Sequence, residues 1–161
     1  MRAWDQRTIE EANLLNPAFC GALLCCSVSG YVSQNDSPMP LPLIFLPLPI
    51  LLHGPTRADL PLGASADFNA WALRHRQVLV GFPARARSLV PYTGEALTFC
   101  ATRGMLTIEG GAVQKGKLTP AKVRKTNETL DEIGKAAVML GRWLAKSGSV
   151  ATVYALWGIA P

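Results

Sequence analysis

Residues that could carry chemistry are scarce in this 161-residue chain. Four cysteines (Cys20, Cys25, Cys26, Cys100) and two histidines (His53, His75) are its whole stock of soft ligands. They form neither a CxxC pair nor an HExxH helix, the spacings that place two ligands on one ion. On a helix, Cys20 and Cys25 would point about 140° apart. No metal and no cofactor is therefore expected. Gly110-Gly111 lacks the GxxxxGK[ST] or GxGxxG context that aims backbone amides at phosphates. Cys100 with His53 or His75 is arithmetically a nucleophile and base, but a thiol on an apolar helix reads as core. The adjacent carboxylates Glu10-Glu11 and Asp131-Glu132 fall in first helical turns, where anions suit the helix dipole. No catalytic residue is assigned, and the chain reads as a non-enzyme.

Charge is also sparse, at 17% of residues against 49% hydrophobic, which excludes a disordered chain. Its distribution is uneven. Residues 1–60 carry three Lys/Arg against five Asp/Glu, whereas 74–125 carry ten basic residues against only Glu95 and Glu109. That stretch reads as a solvated basic face, a site for an acidic protein, or a set of phosphate contacts. A targeting segment is not expected, because Asp5, Glu10 and Glu11 give the N-terminus the wrong sign for a signal peptide. The uncharged run 38–52 is too short to span a bilayer and holds five prolines. Adjacent Cys25 and Cys26 do not suit a secreted disulfide framework. The chain reads as cytoplasmic, with buried thiols and no membrane partner.

The length suits a single domain over 1–161. Thr8 and Glu11 form a capping box that opens a helix ending near Leu15. Asn16-Pro17 caps a second, nearly all-apolar helix over 17–33. The alternating prolines of 38–49 leave 41–52 as a short helix, broken or kinked. Helices follow over 65–74 and 76–89, Pro91-Tyr92-Thr93 reads as a turn, and Thr93 caps a helix over 94–102. Alternating residues 105–108 and 112–115 flank Glu109-Gly110-Gly111, a hairpin signal. A helix starting near 120 or 127 carries the stripe Leu130, Ile133, Ala137, Leu140, Leu144 and stops at Gly148. Ser149 caps a last helix over 150–157.

The fold class is thus mainly α, with a helical N-terminal half (8–60), C-terminal helices (120–157), and between them a part over 65–117 that reads helix, turn, helix, hairpin. That order is the winged helix-turn-helix. Arg85, Arg87, Arg103, Lys115 and Lys117 are candidate contacts to a DNA backbone. The second helix of the pair, GEALTFCAT, offers no Arg, Lys, Asn or Gln to base edges, so only sequence-independent contact is expected.

The chain ends GRWLAKSGSVATVYALWGIAP, and an apolar terminus of this kind needs a cover. Trp143 and Leu144 fit the core of the domain, while Tyr154, Trp157 and Ile159 are candidate contacts to a partner. Together with LLNPAF at 14–19, LHGPTR at 52–57 and ARARSLVPYT at 84–93, this ending resembles the middle component of bacterial three-component ABC (ABC-3C) systems. The resemblance covers nearly the whole chain. It implies a winged-helix-like adaptor between an SMC/ABC-type ATPase subunit and an effector subunit, in defence against phage or plasmid DNA. The alternative is a stand-alone winged-helix regulator that contacts DNA through its basic stretch.

Overall fold

A computed structural model describes residues 6–117 and 128–159 of the chain. Its first helices start where the sequence places caps. In α1 (Ile9–Leu14), Thr8 Oγ1 accepts from the Glu11 amide at 3.2 Å, whereas the Glu11 carboxylate turns away and takes the Tyr92 hydroxyl. In α2 (Pro17–Asn35), Asn16 Oδ1 accepts from the Ala18 amide at 2.8 Å, with Pro17 in the first turn. No charged residue lies within α2, and most of it is buried. The stretch Ile9–Asn35 is long and apolar enough to cross a membrane, yet more than half of its most apolar window is covered by the rest of the chain.

Most of that cover is α8 (Glu128–Lys146) and α7 (Phe82–Thr102). Helix α8 turns Ala137, Leu140 and Leu144 fully inward. The α2–α8 seam is closed to backbone contact. A Cβ on Gly30 would fall 2.0 Å from the Val138 carbonyl oxygen, and one on Gly141 would fall 1.9 Å from that of Ser27. Glycine inside a helix costs about 1 kcal/mol relative to alanine; here it lets two helices approach as no larger residue would.

The proline-rich run divides into three pieces. Met39–Pro40 forms β1, Leu41–Phe45 a 3-10 helix, and Pro47–Leu51 the short helix α3, so the broken helix expected there is two tight turns meeting at Leu46. Pro47 and Pro49 sit near the start of α3, where a missing amide costs least. All five residues of α3 are buried. The hairpin joins β2 (Leu106–Glu109) to β3 (Ala112–Lys115) through Gly110 and Gly111, both at positive φ. The short strand β1 pairs antiparallel with β3, Met39 opposite Val113, giving sheet order β1-β3-β2.

The expected turn at Pro91-Tyr92-Thr93 is absent. Helix α7 runs through it for 21 residues with Pro91 inside. One inward stripe crosses the proline without losing phase: Phe82, Ala86, Leu89, Thr93, Ala96, Leu97 and Cys100. Pro91 and Arg87 both face solvent, where water can serve the carbonyl that proline cannot reach. Thr93 is not a cap. It is buried in mid-helix, and its hydroxyl donates to the Leu89 carbonyl at 3.0 Å. The helix expected over 76–89 is likewise split, because Gly81 at φ 71° separates α6 (Arg76–Leu79) from α7. The helix-turn-helix expected over 65–102 is therefore not formed at this turn.

Between α3 and α6 lie α4 (Gly54–Ala58) and α5 (Phe68–Arg74). The chain closes with α9 (Val150–Leu156), capped by Ser149 as expected. The cap expected at Thr119-Pro120 lies outside the described residues.

Candidate functional site

The C-terminal tail divides at Trp157. Its indole is fully buried, 4.3 Å from the Phe82 ring and 5.8 Å from Phe68, in a cluster with Trp71 and Trp143. Trp143 Nε1 donates to the Ala66 carbonyl and Trp71 Nε1 to that of Asp59, each at 2.8 Å. Trp157 is thus a core residue, and its expected place among partner contacts is corrected: no face of it reaches the surface. The apolar character that suggested a binding residue is what buries it.

Past Trp157 the chain turns sharply. Gly158, at φ 68°, donates to the Ala155 carbonyl at 3.0 Å, and Ile159 donates to that of Tyr154 at 2.9 Å. These two bonds form a Schellman motif, which sets Ile159 back over the end of α9. Ile159, Gly158 and Tyr154 make one wall of an open groove of about 510 Å³. The facing wall is a single stripe of α7, Pro83, Ala86, Arg87 and Val90, and Phe45 with Leu46 complete the lining. Val90 is 46% exposed. Tyr154 and Arg87 are the polar side chains of the groove's lining among the described residues. The Tyr154 hydroxyl is bound to the Pro42 carbonyl at 2.6 Å, and burial pushes its pKa up. Of the predicted partner contacts, Tyr154 and Ile159 line this groove, and sequence reasoning missed Phe45, Leu46, Pro83, Ala86 and Val90. The i, i+3, i+4, i+7 spacing of 83, 86, 87 and 90 was a readable signal once the helix was known to be unbroken.

The five basic residues predicted to line a DNA backbone separate into three places. Arg85 turns inward: Nε donates to the Pro49 carbonyl at 3.0 Å, Nη2 to Thr56 Oγ1 at 3.1 Å, and the guanidinium lies 5.2 Å from the Phe82 ring centre. It staples α3 and α4 to α7 and is no phosphate contact, which corrects that assignment. Because the Thr56 amide donates to His53 Nδ1 at 3.2 Å, that nitrogen carries no proton, and the Thr56 hydroxyl, 2.7 Å away, donates to it as well. His53 is therefore held neutral, with its proton on Nε2. Burial, and then the charge of Arg85, lower its pKa.

Arg87 stands exposed on the groove rim. Arg103, Lys115 and Lys117 are exposed at the base of the hairpin, roughly 24 Å further along α7. A second Schellman motif ends α7 there: Gly104 donates to the Ala101 carbonyl at 3.0 Å and Met105 to that of Cys100 at 2.9 Å. The Gly116 amide donates to the Met105 carbonyl at 2.9 Å, which draws Lys115 and Lys117 toward Arg103. The Arg103 guanidinium lies 5.0 Å from the Phe99 ring centre.

All four cysteines are buried and unbridged. Cys25 and Cys100 sit with sulfurs 3.8 Å apart, and that contact, with burial, raises the Cys25 pKa. Burial also pushes Cys20 up to about 12. Neither histidine serves Cys100: His53 is bound to Thr56, and His75 stacks on Trp71. Among the described residues no cluster of three or more His, Cys, Asp or Glu could hold a metal ion.

No curated protein and no solved structure matches the chain. A family model does so over residues 4–161, and with that match across nearly its whole length the chain belongs to the family of the ABC-three component (ABC-3C) system Middle Component 3.

Proposed function

We propose that the chain is a non-catalytic adaptor in the cytoplasm, linking an SMC/ABC-type ATPase subunit to an effector subunit in a bacterial anti-phage or anti-plasmid defence complex. The family match over residues 4–161 carries this reading, since a middle component is by name one part of a multi-part system. The open groove between α7 and α9 supports it, because Val90 and Ile159 offer a partner an accessible apolar contact there. Co-expression of the chain with its companion subunits, followed by affinity purification of one of them, tests it. The chain should be retained in fixed stoichiometry; a chain that elutes free of both would overturn the reading.

One observation favours a second contact. Arg103, Lys115 and Lys117 gather at the hairpin base, a placement suited to phosphate groups whatever the base sequence. Neutralising three phosphates implies an affinity for duplex DNA that falls with salt at a log–log slope of about −3. Binding that ignores salt would leave this end of the molecule to another role.

A further inference from the structure

We propose that the α7–α9 groove seats the apolar face of a helix from a companion subunit, with an acidic side chain of that helix on Arg87. This rests on the adaptor reading above and names the surface through which it would work.

Three observations select this occupant. The first is shape. The α7 wall is one helical stripe with the small Ala86 at its centre, so a second helix can come close, while Val90 and Ile159 supply apolar contact along it. The second is the small set of polar side chains, Tyr154 and Arg87 among the described residues. Small-molecule sites need convergent donors and acceptors to fix orientation. Here the Tyr154 hydroxyl is held by Pro42, and Arg85 is drawn away to Pro49 and Thr56.

The third is charge. Among the described residues, Arg87 is the one charged side chain in the lining, it is exposed, and no Asp or Glu lines the groove. A rim cation of this kind sets register and partner choice more than affinity. Its complement is a carboxylate beside an apolar stripe, which is an acidic amphipathic helix. The groove is also built to last in one shape. Its α9 wall is fixed by the Schellman turn and by Trp157 packed on Phe82, the first residue of the opposite wall's helix.

The test is the affinity of the purified full chain for its purified companion subunits. Wild type is compared with Val90→Asp and Arg87→Glu, both at exposed positions and each checked for an unchanged melting temperature. Val90→Asp should weaken binding by about a hundredfold, the scale of a hot-spot residue. Arg87→Glu should weaken it by about tenfold, with a smaller dependence on salt than wild type. Wild-type affinity in both variants would overturn the groove while leaving the adaptor reading intact. A wild-type chain that binds neither companion would overturn both. Sedimentation of the chain alone closes the remaining route: a dimer that Val90→Asp dissociates would give the groove to a second copy and refute the proposal.

Discussion

Two helix pairs in this molecule end in opposite ways. Between α2 and α8 the seam is shut, with Gly30 and Gly141 letting backbone touch backbone. Between α7 and α9 a groove stands open, lined by Pro83 and Val90 on one side and by Tyr154 on the other. Both pairs share one hydrophobic core, so hydrophobicity does not separate them. Glycine at the crossing marks the closed seam, and one hydrogen bond, from Tyr154 to Pro42, ties the wall of the open one in place. The closed seam serves stability and the open one is free to serve binding.

Substitutions can break this contrast, beginning where the effect is largest. Trp157→Ala removes the indole that joins α9 to α5 and α7, and should cost about 3–5 kcal/mol in urea unfolding. A loss under about 1 kcal/mol would mean that the tail is not part of the core. Gly141→Ala comes next. It improves helix propensity but drives a methyl into the Ser27 carbonyl, so a net loss of about 1–3 kcal/mol is expected by the same measurement. A gain would show that the seam has slack.

A third effect is smaller and depends on pH. The folded state lowers the pKa of His53 below its ordinary 6.5, so the unfolded chain takes the proton first. The stability tied to the neutral ring is complete above the ordinary value and drains as pH falls through the lowered one. Between about pH 7 and pH 5 the wild-type melting temperature should drop more than that of His53→Asn, which keeps a cap on α4 and does not titrate. Parallel curves would remove His53 from the account. The smallest effect belongs to the open seam: Val90→Asp should change stability by no more than about 0.5 kcal/mol, because its site already faces water.

Local chemistry was legible in the sequence. The Thr8, Asn16 and Ser149 caps, the Gly110-Gly111 hairpin and the α8 stripe from Ile133 to Leu144 stand where short-range rules place them, while the stripe's Leu130 side chain lies outside the described residues. The ending from Gly141 to Pro161, with its companion segments, already resembled the family that the chain belongs to. What the sequence hid depends on long-range packing. Pro91 read as a break, but a continuous buried stripe on both sides of it outweighs about 3 kcal/mol of helix penalty. The strand β1 is two residues long and exists only because Ala112 and Val113 wait beside it. Arg85 and Arg87 are two positions apart in a basic run, yet helical geometry sends one to Pro49 and Thr56 and the other to the groove. The groove needs 45, 87 and 159 brought together, which no local pattern announces.

A photo-crosslinking amino acid at position 90, in the full chain co-expressed with its companion subunits, tests the central claim most directly. The account predicts that illumination joins residue 90 to an apolar, acid-bearing helix of a companion, mapped by mass spectrometry. Subunits that still co-purify while residue 90 links to none of them would contradict it.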